Sequence, residues 1–81
     1  TGENPMKSEE YLYKISTTLQ KLSRDESRNY IMGLQHAMGK VAGAQENSSG
    51  ITFIFRNYEI WVGNFDESGN SVNIRNLNKK Q

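Results

Sequence analysis

The sequence predicts an α+β domain of order ααβββ, an antiparallel helical hairpin packed on one face of a three-stranded antiparallel meander. Three observations carry that prediction. Residues 51–77 show a period-two apolar pattern broken by two turn signals. Residues 8–43 show two apolar stripes at helical spacing, and only a few polar residues separate the stripes. The domain is expected to occupy residues 8–77.

The first helix is expected to open at Ser8 as N-cap, with Glu9 and Glu10 in its first turn, where negative charge opposes the positive end of the helix dipole. Leu12, Ile15, Leu19 and Leu22 then recur at i, i+3, i+7 and i+10, which lines them along one face. Lys7, Lys14 and Lys21 share a seven-residue spacing and form either a solvated face or a basic docking strip.

Ser23 and Glu26 have the spacing of a capping box, and Asp25 adds a second acid at this helix start. Ile31, Leu34, Met38 and Val41 repeat the apolar stripe, and Gly43 is the expected stop. Interior glycines at 33 and 39 each cost about 0.5–1 kcal/mol relative to alanine. Gly33 and Ala37, four residues apart, offer a small-residue groove for close approach by the first helix, the sheet or a second protomer. Two helices so closely joined must run antiparallel.

Residues 45–50 read as a polar loop, and Asn47-Ser48-Ser49 matches the glycosylation sequon, a chance match without secretion. Ile51-Thr52-Phe53-Ile54-Phe55 and Tyr58-Glu59-Ile60-Trp61-Val62 are rich in β-branched and aromatic residues. A turn at Arg56-Asn57 sets Phe55 opposite Tyr58, Phe53 opposite Ile60 and Ile51 opposite Val62 on a core face. Thr52 then faces Trp61, and Ile54 faces Glu59, on the other side. For the second hairpin, a three-residue loop of Glu67, Ser68 and Gly69 sets Val62 opposite Ile74, Asn64 opposite Val72, Trp61 opposite Arg75 and Phe65 opposite Ser71. Both hairpins assign the same face to the core.

Residues 1–7 are expected to be disordered, those before Met6 being a remnant of cloning or a native coil, and residues 78–81 form a basic tail expected to be mobile. An 81-residue chain holds one domain and buries roughly 60–65% of its unfolded surface. With no cysteine, no disulfide or thiolate metal site can reinforce it, and a reducing, cytoplasmic setting is the natural inference. Ten Lys and Arg against nine Asp and Glu give a net charge of +1, too balanced to argue for a polyanionic partner. No apolar run approaches a membrane span, and nothing resembles a signal peptide.

Chemistry-bearing groups are sparse. His36 is the only histidine, and its helical neighbours Met32 and Lys40 supply neither a carboxylate nor a nucleophile. Asp66-Glu67-Ser68-Gly69-Asn70 is too short for a calcium loop and lacks its closing glutamate. The expectation is therefore a non-enzymatic protein with no cofactor, metal or small-molecule substrate.

The far face of the sheet carries the functional expectation. Thr52, Ile54, Trp61, Phe65 and Arg75 share it, with Arg56 at the hairpin end. Exposed apolar patches on small domains mark contact surfaces, and Trp, Phe and Arg are the types that concentrate binding energy. Ile54, Trp61, Phe65 and Arg75 are thus the candidate residues for binding a protein partner or a second copy of the chain, with Trp61 and Arg75 as a cation-π pair. A tail after Leu77, or the segment from Gln45, folding over the patch would remove it. The alternative is single-stranded nucleic acid, with bases stacked on Trp61 and Phe65 and phosphates met by Arg56, Arg75, Lys79 and Lys80. From Ile51 onward four basic residues face Glu59, Asp66 and Glu67, so the excess there is only +1, which ranks protein contact first.

Overall fold

The computed structural model describes the backbone of residues 6–77 and the side chains from residue 9. The expectations about residues 1–5 and 78–81 lie outside the described residues. Helix α1 (Met6–Leu19) and helix α2 (Arg24–Gly33) are followed by a single further turn, α3 (Gln35–Met38). Four strands come next, β1 (Gly43–Glu46), β2 (Gly50–Ile54), β3 (Tyr58–Asp66) and β4 (Gly69–Asn76), paired antiparallel in the order β1-β2-β3-β4. The class is α+β, with four strands where the sequence predicted three.

Both helices present the stripes read from their spacing. Ile15 and Leu19 of α1 and Ile31 of α2, with Leu34 just beyond it, are buried, and Leu12, Leu22, Met38 and Val41 pack around them. The capping box at α2 is complete: the Ser23 hydroxyl accepts from the Glu26 N–H at 3.2 Å, and the Ser23 N–H donates to Glu26 Oε1 at 3.0 Å. Helix α1 begins at Met6, so Ser8 lies within its first turn and is not its cap.

The second helical segment is shorter than its stripe implied. It breaks at Leu34 and ends at Met38, because Gly39 adopts φ 95°, a conformation that only glycine takes readily. Val41 is held instead by a bond from its N–H to Gln35 Oε1 at 2.9 Å. Gly33 and Ala37 are exposed, and nothing lies within 4 Å of a side chain built on Gly33, so no close approach occurs there.

Residues 43–46 form a strand where the sequence predicts a helix stop at Gly43 and a polar loop from Gln45. Asn47 makes the turn: its Oδ1 accepts from the N–H groups of Ser49 and Gly50 at 3.0 and 3.1 Å, and its N–H donates to the Gly50 carbonyl at 2.9 Å. The segment from Gln45 therefore extends the sheet sideways and does not fold across its far face.

The β2–β3 hairpin has the predicted register, with Ile51, Thr52, Phe53 and Ile54 opposite Val62, Trp61, Ile60 and Glu59. The Phe55 N–H donates to the Tyr58 carbonyl at 2.7 Å, closing a two-residue loop at Arg56-Asn57. Ile51, Phe53, Phe55, Ile60 and Val62 are all buried against the helices. Burying side chains of this size stabilises a fold by about 1.5–3 kcal/mol each, so this face and the helix stripes are the core.

The β3–β4 hairpin departs from the expected register by two residues. Its loop is Glu67-Ser68, since Asp66 pairs with Gly69, and Val62 faces Val72, Ile60 faces Ile74, Trp61 faces Asn73 and Glu59 faces Arg75. Between the Gly63–Ser71 and Asp66–Gly69 pairs, Asn64 and Phe65 oppose Asn70 alone, which makes a β-bulge. Asn64 carries it at φ 69°, its N–H donating to the Ser49 carbonyl at 3.0 Å and its side chain to Ser71 Oγ at 3.0 Å. One extra residue inverts the alternation beyond it, and that inversion decides where Phe65 goes.

Candidate functional site

On the far face the paired residues form rows. Gly43, Ile54, Glu59 and Arg75 make one, Gln45, Thr52, Trp61 and Asn73 the next, and Gly50, Gly63 and Ser71 the third. The helices pack on the opposite face, against the core residues.

Trp61 is the centre of this surface. Gly50 and Gly63 are cross-strand partners, and the indole lies over both. A Cβ on Gly50 would stand 2.8 Å from the indole Nε1, and one on Gly63 would stand 2.7 Å from the ring Cη2 and collide with the Ser49 carbonyl as well. Two side-chain-free positions thus form a shelf for the ring, which rests half-buried on backbone at no rotamer cost to a neighbour. Thr52 beside it is half-buried, and Ile54 is 36% exposed with its Cδ1 near Gly43.

Phe65 does not share this face. The bulge turns it to the helix side, where it packs against the core and lies under Arg24, whose Cζ is 4.8 Å from the ring centroid. Arg75 faces Glu59 and not Trp61, and pairs with it through Nη2 to Oε1 at 2.6 Å, so the expected Trp61–Arg75 stack is replaced by a cross-strand ion pair. Arg56 is exposed at the hairpin loop, and Lys79 and Lys80 lie outside the described residues. Of the four candidate contact residues, the fold brings Ile54, Trp61 and Arg75 onto one face and removes Phe65.

Two structural groupings had no counterpart in the sequence reading. Arg24 donates to Glu46 at 3.1 Å and to the carbonyls of Asn47 and Ser48 at 3.0 and 3.1 Å, tying α2 to the β1–β2 turn. Asn70 donates its side-chain amide to the Leu19 and Leu22 carbonyls, both at 2.7 Å, and its N–H to the Gln20 carbonyl at 3.0 Å, closing the end of α1. A groove of about 580 Å³ opens there, between residues 20–23 and 65–70, lined by Lys21, Asp66 and Glu67 among others.

Among the described residues, no cluster of three or more His, Cys, Asp or Glu side chains is placed to hold a metal ion, and no helix is long and apolar enough to cross a membrane. No known family model matches this chain, and neither a curated protein nor a solved structure is significantly similar to it.

Proposed function

We propose that the chain is a small non-enzymatic protein-binding or self-associating module, working in a cytoplasmic setting, whose contact surface is the far face of the sheet around Trp61. The observation that carries this reading is the Gly50–Gly63 shelf. It holds a large aromatic ring in a set position on the face turned away from the helices, with Thr52 and Ile54 beside it and the Glu59–Arg75 pair at the rim. A rigid aromatic anchor inside a polar rim loses little side-chain entropy on contact, which is the physical basis of an interface hot spot.

A single-stranded nucleic-acid platform has less support. It requires stacking rings in succession and free cations, whereas Phe65 is turned to the helices and Arg75 is engaged by Glu59.

The test is affinity capture with wild-type chain and with Trp61→Ala, after matching thermal unfolding shows both are folded. Proteins, including added copies of the chain itself, held by the wild type and lost by the variant support the reading. Identical capture by both removes it.

A further inference from the structure

We infer that the far face of the sheet binds a neutral oligosaccharide, one sugar ring stacking against Trp61 while hydroxyls of the chain meet Gln45, Thr52 and Asn73. This activity goes beyond the protein contact proposed above, and it rests on that reading only for the outward position of Trp61.

The row of Gln45, Thr52, Trp61 and Asn73 crosses all four strands. With neighbouring strands about 4.8 Å apart, the row is about 14 Å long, the reach of a short oligosaccharide. Trp61 lies down along the sheet and does not stand out from it, because a Cβ on Gly50 would meet its Nε1 and one on Gly63 its Cζ2 and Cη2. The ring is half-buried, so the rest of its surface stays open beside the row.

Its surroundings are polar but uncharged. Gln45 and Asn73 are exposed and Thr52 is half-buried, and among the described residues neither these three side chains nor the indole N–H has a hydrogen-bond partner. Each amide carries two donors and an acceptor, and the hydroxyl both donates and accepts, so the row can give and take hydrogen bonds. The charges of the adjacent row, Glu59 and Arg75, neutralise each other at 2.6 Å.

A ligand complementary to this face is neutral, covers the ring with an apolar patch, and carries groups at its rim that both donate and accept. A pyranose has that form, since its C–H groups make an apolar face and its hydroxyls project around the edge. A phosphate chain finds no free cation in the row. A wholly apolar surface would strip water from three side chains and replace none of their bonds.

The test is isothermal titration of the full chain with cellohexaose, with maltohexaose and with oligodeoxythymidylate, with thermal unfolding matched across the variants. Saturable binding of at least one hexaose, unchanged between low and high salt, is the expected result. It should weaken by more than about tenfold in Trp61→Ala, as for a central aromatic contact, and by about two- to tenfold in Gln45→Ala and in Asn73→Ala, as for single neutral hydrogen bonds. No binding of either hexaose at millimolar concentration overturns the proposal, as does hexaose binding that survives Trp61→Ala, or salt-sensitive binding of the oligonucleotide alone. Protein capture through Trp61 without hexaose binding removes this inference and leaves the protein contact standing, whereas hexaose binding without protein capture does the converse.

Discussion

Phe65 lies beneath Arg24, at 4.8 Å from ring centroid to guanidinium carbon, and the same guanidinium bonds the carbonyls of Asn47 and Ser48. Arg24 thereby joins α2, the β1–β2 turn and the bulged end of β3. Its ion pair with Glu46 is the lesser part, since both side chains are about a third or more exposed and such pairs contribute about 0–1 kcal/mol. Arg24→Ala is therefore expected to destabilise by about 1–3 kcal/mol, through lost bonds to main chain and lost stacking. Glu46→Ala should cost less than half as much. Urea unfolding of the two variants orders them, and equal losses would place the weight on the ion pair.

Asn64 sits at φ 69°, where a side chain without local hydrogen bonding is strained by about 1–2 kcal/mol. Asn64→Ala should destabilise by at least about 1 kcal/mol, and Asn64→Gly, which relieves the strain while losing the bond to Ser71, by distinctly less. Comparison of their unfolding midpoints checks this. Equal effects would mean that the side-chain bond, and not the backbone conformation, holds the bulge.

That bulge marks the limit of what the sequence made legible. The β2–β3 register is readable because Ile51, Phe53, Ile60 and Val62 are all apolar whereas their alternates include Thr52 and Glu59, so one parity buries the wholly apolar set. Past Gly63 that constraint lapses, because Asn64, Ser71 and Asn73 are polar and penalise no register. A three-residue loop at Gly69 and a two-residue loop with a bulge at Asn64 both satisfy the pattern. Gly63 followed by Asn64 inside a strand was the available signal for the bulge. Strand β1 was hidden for another reason. Gly43-Ala44-Gln45-Glu46 contains no strand-favouring residue, and its place in the sheet comes from pairing with β2. The turn formers of residues 47–50 were the clue. For the candidate site, the shared parity of Ile54 and Trp61 was legible, whereas the glycine shelf beneath the indole required knowing that Gly50 pairs with Gly63.

Asn70 donates its side-chain amide to the Leu19 carbonyl at the end of α1, which otherwise accepts only a long bond from the Leu22 N–H at 3.4 Å, and to the Leu22 carbonyl just beyond it. Asn70→Ala removes both short side-chain bonds to these part-buried carbonyls and should cost about 1–3 kcal/mol in thermal or urea unfolding. Asn70→Asp should cost more at neutral pH, where an ionised carboxylate faces two carbonyls at the negative end of a helix. A carboxyl so placed has a raised folded pKa. Its penalty is therefore smallest below the unfolded value of about 3.9 and grows as pH rises. A pH-independent gap between Asn70→Asp and wild type would contradict this role.

Gly63 bears the load of the indole and of the Ser49 carbonyl together. Gly63→Ala is expected to destabilise by about 1–3 kcal/mol as an overpacked contact and to shift Trp61 emission to the red as the ring is displaced toward water. In a double-mutant cycle, Trp61→Ala should recover part of the loss and leave the part owed to Ser49. Additive effects of the two substitutions would mean that the ring does not rest on Gly63.

Trp61 is the only tryptophan in the chain, so its fluorescence reports on one ring alone. The most direct measurement is acrylamide quenching of the folded, dilute chain. A ring on the face turned away from the helices, over the Gly50–Gly63 shelf, quenches to an intermediate degree, between a free indole and a core residue. Emission that resists quenching until the chain unfolds would place the indole in the interior, and the far face would then offer no aromatic surface for a partner.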